Sequence, residues 1–265
     1  MKKLILFFPF ALVALSPMLA SAQSQFDGTW KTDMSTAGFS KKPNVLLLQN
    51  GTYECKTCVP PYAIKADGSD QSVSGHPYFD TIAIKVVNDR EVEMTNKKDG
   101  KVVATSTSTV SPDGKTTSFT FSDSSNTNGG PPVTGKGESI LVAKGPAGSH
   151  AVSGSWRVSK IESLSDNGTV WTNKVSGNEI TMTTPTGQSY SANLDGTDAP
   201  MKSDPGTTSV SVKMIGKNTL EETDKRDGKV IFVLRMTVAS DGKTILEVDE
   251  DKLRNTTTTS TATKQ

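Results

Sequence analysis

The sequence predicts an all-β protein made of two tandem antiparallel meander domains. Three observations carry that expectation. The second half of the chain repeats the first, Asp-Gly pairs punctuate short apolar segments at matched places in both halves, and no segment shows the 3.6-residue apolar period of a long helix.

The repeat is direct. Residues 62 to 123 align with residues 190 to 251 at a constant offset of 128, without a gap. Asp99-Gly100-Lys101-Val102 matches Asp227-Gly228-Lys229-Val230, Asp113-Gly114-Lys115-Thr116 matches Asp241-Gly242-Lys243-Thr244, and Asp67-Gly68 matches Asp195-Gly196. Gly28-Thr29-Trp30-Lys31 matches Gly154-Ser155-Trp156-Arg157 at an offset of 126, so a two-residue length change falls around Cys55 to Pro61. Asp-Gly between apolar segments is a hairpin signal, because glycine takes the positive φ that tight turns need. The repeats run over residues 23–147 and 148–265, joined near Lys144 to Val152, where Gly145, Pro146, Ala147 and Gly148 form a small-residue stretch.

Residues 1–22 read as a targeting label. Lys2 and Lys3 precede an apolar run from Leu4 to about Leu15, and Ala20-Ser21-Ala22 fits a small-residue cleavage site, which makes the segment a secretory signal peptide. The run is shorter than the roughly 20 apolar residues of a spanning helix. The expectation is an exported protein, periplasmic or secreted, with no membrane insertion after cleavage. Cleavage leaves 27 of the 29 basic residues against 28 acidic ones, a balance that gives no pull toward nucleic acid.

The predicted strands follow in order. Ile82, Ile84 and Val86 alternate in the first repeat, as Val210, Val212 and Met214 do in the second. Val230, Phe232, Leu234, Met236 and Val238 place five apolar residues on one face of a strand. Glu138 to Val142 reads as the last strand of the first repeat. Thr256 to Thr263 is either its weaker counterpart or a disordered terminus.

Phe26-Asp27-Gly28-Thr29-Trp30-Lys31 resembles the opening of fatty-acid-binding proteins and other lipocalin-like (calycin) barrels, whose first strand carries G-x-W; Gly154-Ser155-Trp156 offers the same motif to the second repeat. The resemblance implies two small β-barrels in tandem, each with a tryptophan plugging its floor and an internal ligand cavity. Lipocalins also pack a late arginine over that tryptophan, a role the resemblance assigns to Arg254 over Trp156. The stretch from Asp33 to Pro43 is too short for the helical lid of fatty-acid-binding proteins, and neither repeat ends in their R-x-Y. Trp30 and Trp156 also read simply as core anchors. A pair of β-sandwiches is the alternative architecture.

The repeats differ at one informative face. Val230, Phe232, Leu234, Met236 and Val238 correspond to Val102, Ala104, Ser106, Ser108 and Val110. Ala104, Ser106 and Ser108 are therefore candidate ligand-binding residues of a roomier, wetter first repeat, with the second repeat structural; drift in an exposed strand is the competing reading. Cys55 and Cys58, the only cysteines, read as a local disulfide under export, with a redox pair as the lesser alternative. A structural zinc wants about four ligands; these cysteines and His76 fall short, and His150 lies in the join, so no metal and no cofactor are expected. No nucleophile elbow, metalloprotease helix, phosphate loop or dinucleotide fingerprint occurs, so no catalytic residue is assigned. The expected function is a non-enzymatic binding or carrier protein for a small apolar ligand. A structural or protein-interaction protein of the cell envelope ranks second, and a redox enzyme using Cys55 and Cys58 third.

Overall fold

The computed structural model describes residues 24–265, so the signal-peptide segment and its cleavage point lie outside the described residues. The first repeat supplies β1 (Gly28–Gly38), β2 (Asn44–Gln49), β3 (Thr52–Cys55), β4 (Tyr62–Lys65), β5 (Gln71–Ser72), β6 (Thr81–Asn88), β7 (Glu91–Lys98), β8 (Lys101–Val110), β9 (Thr116–Asp123) and β10 (Val133–Lys144). The second supplies β11 (Gly154–Leu164), β12 (Val170–Ser176), β13 (Glu179–Thr183), β14 (Ser189–Asn193), β15 (Asp195–Pro200), β16 (Ser209–Met214), β17 (Thr219–Arg226), β18 (Lys229–Val238), β19 (Thr244–Asp251) and β20 (Thr256–Lys264).

These strands form two ten-stranded antiparallel sheets, each curled into a nearly closed barrel. Continuous curled sheets replace the sandwich alternative. In one barrel the two edge strands approach where Ser189 and Lys202 exchange backbone hydrogen bonds of 3.3 and 2.8 Å. In the other, Asp67, just past β4, bridges to Lys85 on β6.

The barrels do not coincide with the sequence repeats. One sheet runs β4-β3-β2-β11-β10-β9-β8-β7-β6-β5 and the other β14-β13-β12-β1-β20-β19-β18-β17-β16-β15. Each repeat thus gives its G-x-W strand to the other repeat's sheet. The first sheet is one contiguous stretch, residues 44–164, inserted between β1 and β12 of the second. We call them the inserted barrel and the host barrel. The small-residue stretch Gly145 to Gly148 is the loop of the β10–β11 hairpin, inside the inserted barrel, and Lys144 pairs with Gly154 across it. The host barrel is sealed by the first and last described strands: β1 lies between β12 and β20, and Gln265 N donates to Thr29 O at 2.9 Å.

The exchange decides which core each tryptophan serves. Trp30 is fully buried among Ile180, Tyr190, Val210, Val212, Leu220 and Ile245 of the host barrel. Trp156 packs with Leu48, Tyr53, Ile82, Ile84 and Val110 of the inserted barrel. Both indoles donate to the carbonyl four residues earlier, Trp30 Nε1 to Phe26 O at 3.0 Å and Trp156 Nε1 to Val152 O at 2.9 Å.

Most local expectations hold. Asp99-Gly100 and Asp227-Gly228 make two-residue hairpins with φ of 50° and 74°, and 51° and 77°, the doubly positive geometry those turns require. The threonine-rich tail is β20, fully paired with β19. Two residues depart from their alternation. Val86 is exposed, at the β6–β7 end of its strand, where the register shifts between Val86 and Asn88. Val230 is exposed near the start of β18, where a bulge leaves Ile231 as an extra residue between Val230 and Phe232; Ile231 and Val233, off the predicted row, are buried.

Candidate functional site

Apolar side chains fill one end of each barrel, and the other end holds a cavity. The host cavity is about 480 Å³ and is lined from β1, β12, β13, β17, β18, β19 and β20, so it is the barrel's lumen. Trp171 lies on its wall and stacks on the buried Trp30 at 5.9 Å. Met34, Met182, Leu234 and Met236 add apolar surface.

Carboxylates stand among these apolar walls. Strand alternation turns Glu222 of β17 and Glu247 and Asp249 of β19 inward. The register flanks Leu234 with Glu222 on one side and Asp249 on the other, and sets Glu247 opposite Met236. Glu222 Oε2 accepts from Tyr190 Oη at 2.5 Å. Glu247 Oε2 accepts from Thr32 Oγ1 at 3.1 Å and Ser260 Oγ at 2.8 Å, and Asp249 Oδ2 accepts from Thr258 Oγ1 at 3.4 Å. No lysine, arginine or histidine is among the described residues lining this chamber.

Burial raises these carboxyls above the ordinary range, since a charge loses its hydration there. The Asp249 charge raises Glu222 and Glu247 further, and burial alone raises Asp249. Asp224, two residues beyond Glu222, is pushed up to about 9, by burial first and then by the Glu222 charge. One more polar group faces the chamber. Asn173, on β12, is 2 % exposed, and neither its Oδ1 nor its Nδ2 has a protein partner.

The inserted cavity is larger, about 650 Å³, and its chemistry is reversed. Leu46, Tyr53, Tyr62, Phe79, Met94 and Val158 line it, and its cations are Lys42, Arg226 and Arg254. No aspartate or glutamate is among its described lining residues. His76 stacks on Phe79 at 4.5 Å and meets the edge of Tyr62 at 5.8 Å. Its Nε2 has no protein partner, and burial, then the Arg254 charge, lowers its pKa.

Each barrel closes part of the other's mouth. Asn126 and Val133 of the inserted barrel line the host chamber, while Arg226, Leu253 and Arg254 of the host barrel line the inserted one. Polar contacts pin this junction. Gln188 Nε2 donates to Asn126 O at 2.6 Å, Asn128 Nδ2 to Thr186 O at 2.8 Å, and Tyr78 Oη to Asp204 Oδ1 at 2.8 Å. The Tyr78 ring lies so close over Gly206 that a Cβ there would sit 2.0 Å from the hydroxyl, so any larger residue would displace Tyr78.

The structure redistributes the residues singled out in the sequence. Ala104, Ser106 and Ser108 face inward, opposite Asn96, Met94 and Val92, yet they line neither chamber. The bulk missing from β8 stands one strand over, with Phe121 opposite Ser106 and Phe119 opposite Ser108. The second repeat's barrel is not solid, since the host lumen holds a chamber of its own. Arg254 pairs with Asp251 at 2.9 Å; the cation over a tryptophan is Lys264, whose Nζ lies 5.4 Å from the Trp30 ring centre. Cys55 and Cys58 form a disulfide at the edge of the inserted chamber. Among the described residues no three histidine, cysteine, aspartate or glutamate side chains converge as a metal would need.

The acidic set was missed from sequence although a signal existed. At the constant offset, Met94, Asn96, Phe119 and Phe121 become Glu222, Asp224, Glu247 and Asp249. No family model and no curated protein matches this chain.

Proposed function

We propose that the chain is an exported, non-enzymatic carrier that holds small molecules in the lumens of two lipocalin-like barrels. The observation that carries this reading is the pair of chambers, about 480 and 650 Å³, each beside a well-filled core. Both fall within the roughly 300–1,000 Å³ of small-molecule sites. Mostly apolar walls with a few placed polar groups are what such sites need. The G-x-W tryptophans at the barrel floors support the lipocalin-like comparison, and the Cys55–Cys58 disulfide is compatible with an oxidising compartment.

Native mass spectrometry of the protein purified from its exported compartment tests the reading. Small-molecule adducts, up to one per barrel, are the expected result. A bare chain that also fails to take up any member of a small amphiphile panel would sink it.

A further inference from the structure

We propose that the host chamber takes an organic cation: a small amine with an apolar body, its ammonium facing the acidic wall to which Glu222, Glu247 and Asp249 contribute and its body against Trp171, Met182 and Leu234. The proposal rests on the carrier reading and adds the ligand class and the barrel that binds it.

The fold does not require acids in this lumen. The inserted barrel is built on the same strands and register with Met94, Asn96, Phe119 and Phe121 at the corresponding places. Burying carboxylates without a counter-charge opposes folding. The chamber's own walls supply none, because the groups that reach its carboxylates are the hydroxyls of Tyr190, Thr32, Ser260 and Thr258 and the neighbouring acid Asp224, none of them a cation. The nearby cation Lys264 is spent on the Trp30 ring.

Asn173 points the same way independently. A buried amide using neither its donor nor its acceptor is exceptional in a folded protein. Asn173 pairs with Gly28 of its G-x-W strand; the corresponding pairing in the inserted barrel, Gly154 with Leu46, puts an apolar residue there. The host lumen has therefore gained an uncommitted amide as well as its acids. Asn173 Oδ1 can accept from an ammonium, and its Nδ2 can donate to a second polar group on the ligand. Apolar walls of methionine, leucine and tryptophan match a hydrocarbon body and would serve a bare metal ion poorly.

Isothermal titration of the mature chain at pH 7.5 with 2-(1-naphthyl)ethylamine and with the matching alcohol tests the assignment. The two probes share a body and differ in charge. The amine should bind about tenfold or more tightly than the alcohol. In the near-isosteric Glu247→Gln/Asp249→Asn variant that preference should fall to about threefold or less, with alcohol binding retained as proof of an intact chamber. Glu222→Gln, read the same way, serves if the double variant does not fold. Equal binding of the two probes, or a preference that survives the substitutions, overturns the cation assignment and leaves the carrier reading standing. Binding of neither probe overturns both.

Discussion

At Glu222, Asp224, Glu247 and Asp249 the protein accepts an electrostatic cost. Each carboxyl holds its proton more tightly in the folded chain than in the unfolded one, where the values lie near 3.8 and 4.5. The folded state therefore binds more protons, and stability falls as pH rises through that interval toward about 9, the value reached by Asp224. Thermal midpoints should drop between pH 5.5 and pH 8.5 in ligand-free protein. Asp224→Asn should flatten the drop and raise stability at pH 8.5 by at least about 1 kcal/mol; a midpoint that rises over this interval in the wild type would contradict the assignment. The same four residues mark a limit of the sequence reading. Of the differences between the repeats, the one in the apolar row of β8 and β18 points to Ala104, Ser106 and Ser108. The informative changes lay on the two neighbouring strands, where Met, Asn and Phe had become acids.

Among the elements, β1 and β20 carry most of what was not legible. Hairpin positions were readable because Asp99-Gly100 and Asp227-Gly228 state their backbone geometry locally. Partner choice is not local. The strands at Trp30 and Trp156 share one pattern, so nothing in either says which sheet it joins. β20 was obscure for another reason: Thr258 and Ser260 face acids rather than an apolar core, so the strand lacks the hydrophobic alternation that announces one. The exchange makes a clear prediction. Trp30→Ala should destabilise the host barrel by about 3–5 kcal/mol, and hydrogen exchange should show lost protection over residues 170–264 while residues 44–164 stay protected. Loss confined to the first repeat would contradict the exchanged pairing.

For the whole molecule, the relevant unit is the insertion rather than the repeat. Residues 44–164 contain all ten strands of one barrel, including the Trp156 strand that fills its core. Expressed alone, this segment should unfold cooperatively, followed by near-ultraviolet circular dichroism against temperature. Residues 23–147, the unit defined by sequence similarity, should show no such transition, since they lack β11 and carry β1 without partners. The reverse outcome would show that each repeat can close on its own first strand.

The seal between β1 and β20 also sets an order of events during synthesis. Synthesis runs from the amino end, so β1 emerges before the inserted barrel and β20, its longest-paired neighbour, emerges after it. The whole inserted barrel is translated in between. The first strand of the host barrel therefore waits, its β20-facing edge open, until β20 arrives to cover it.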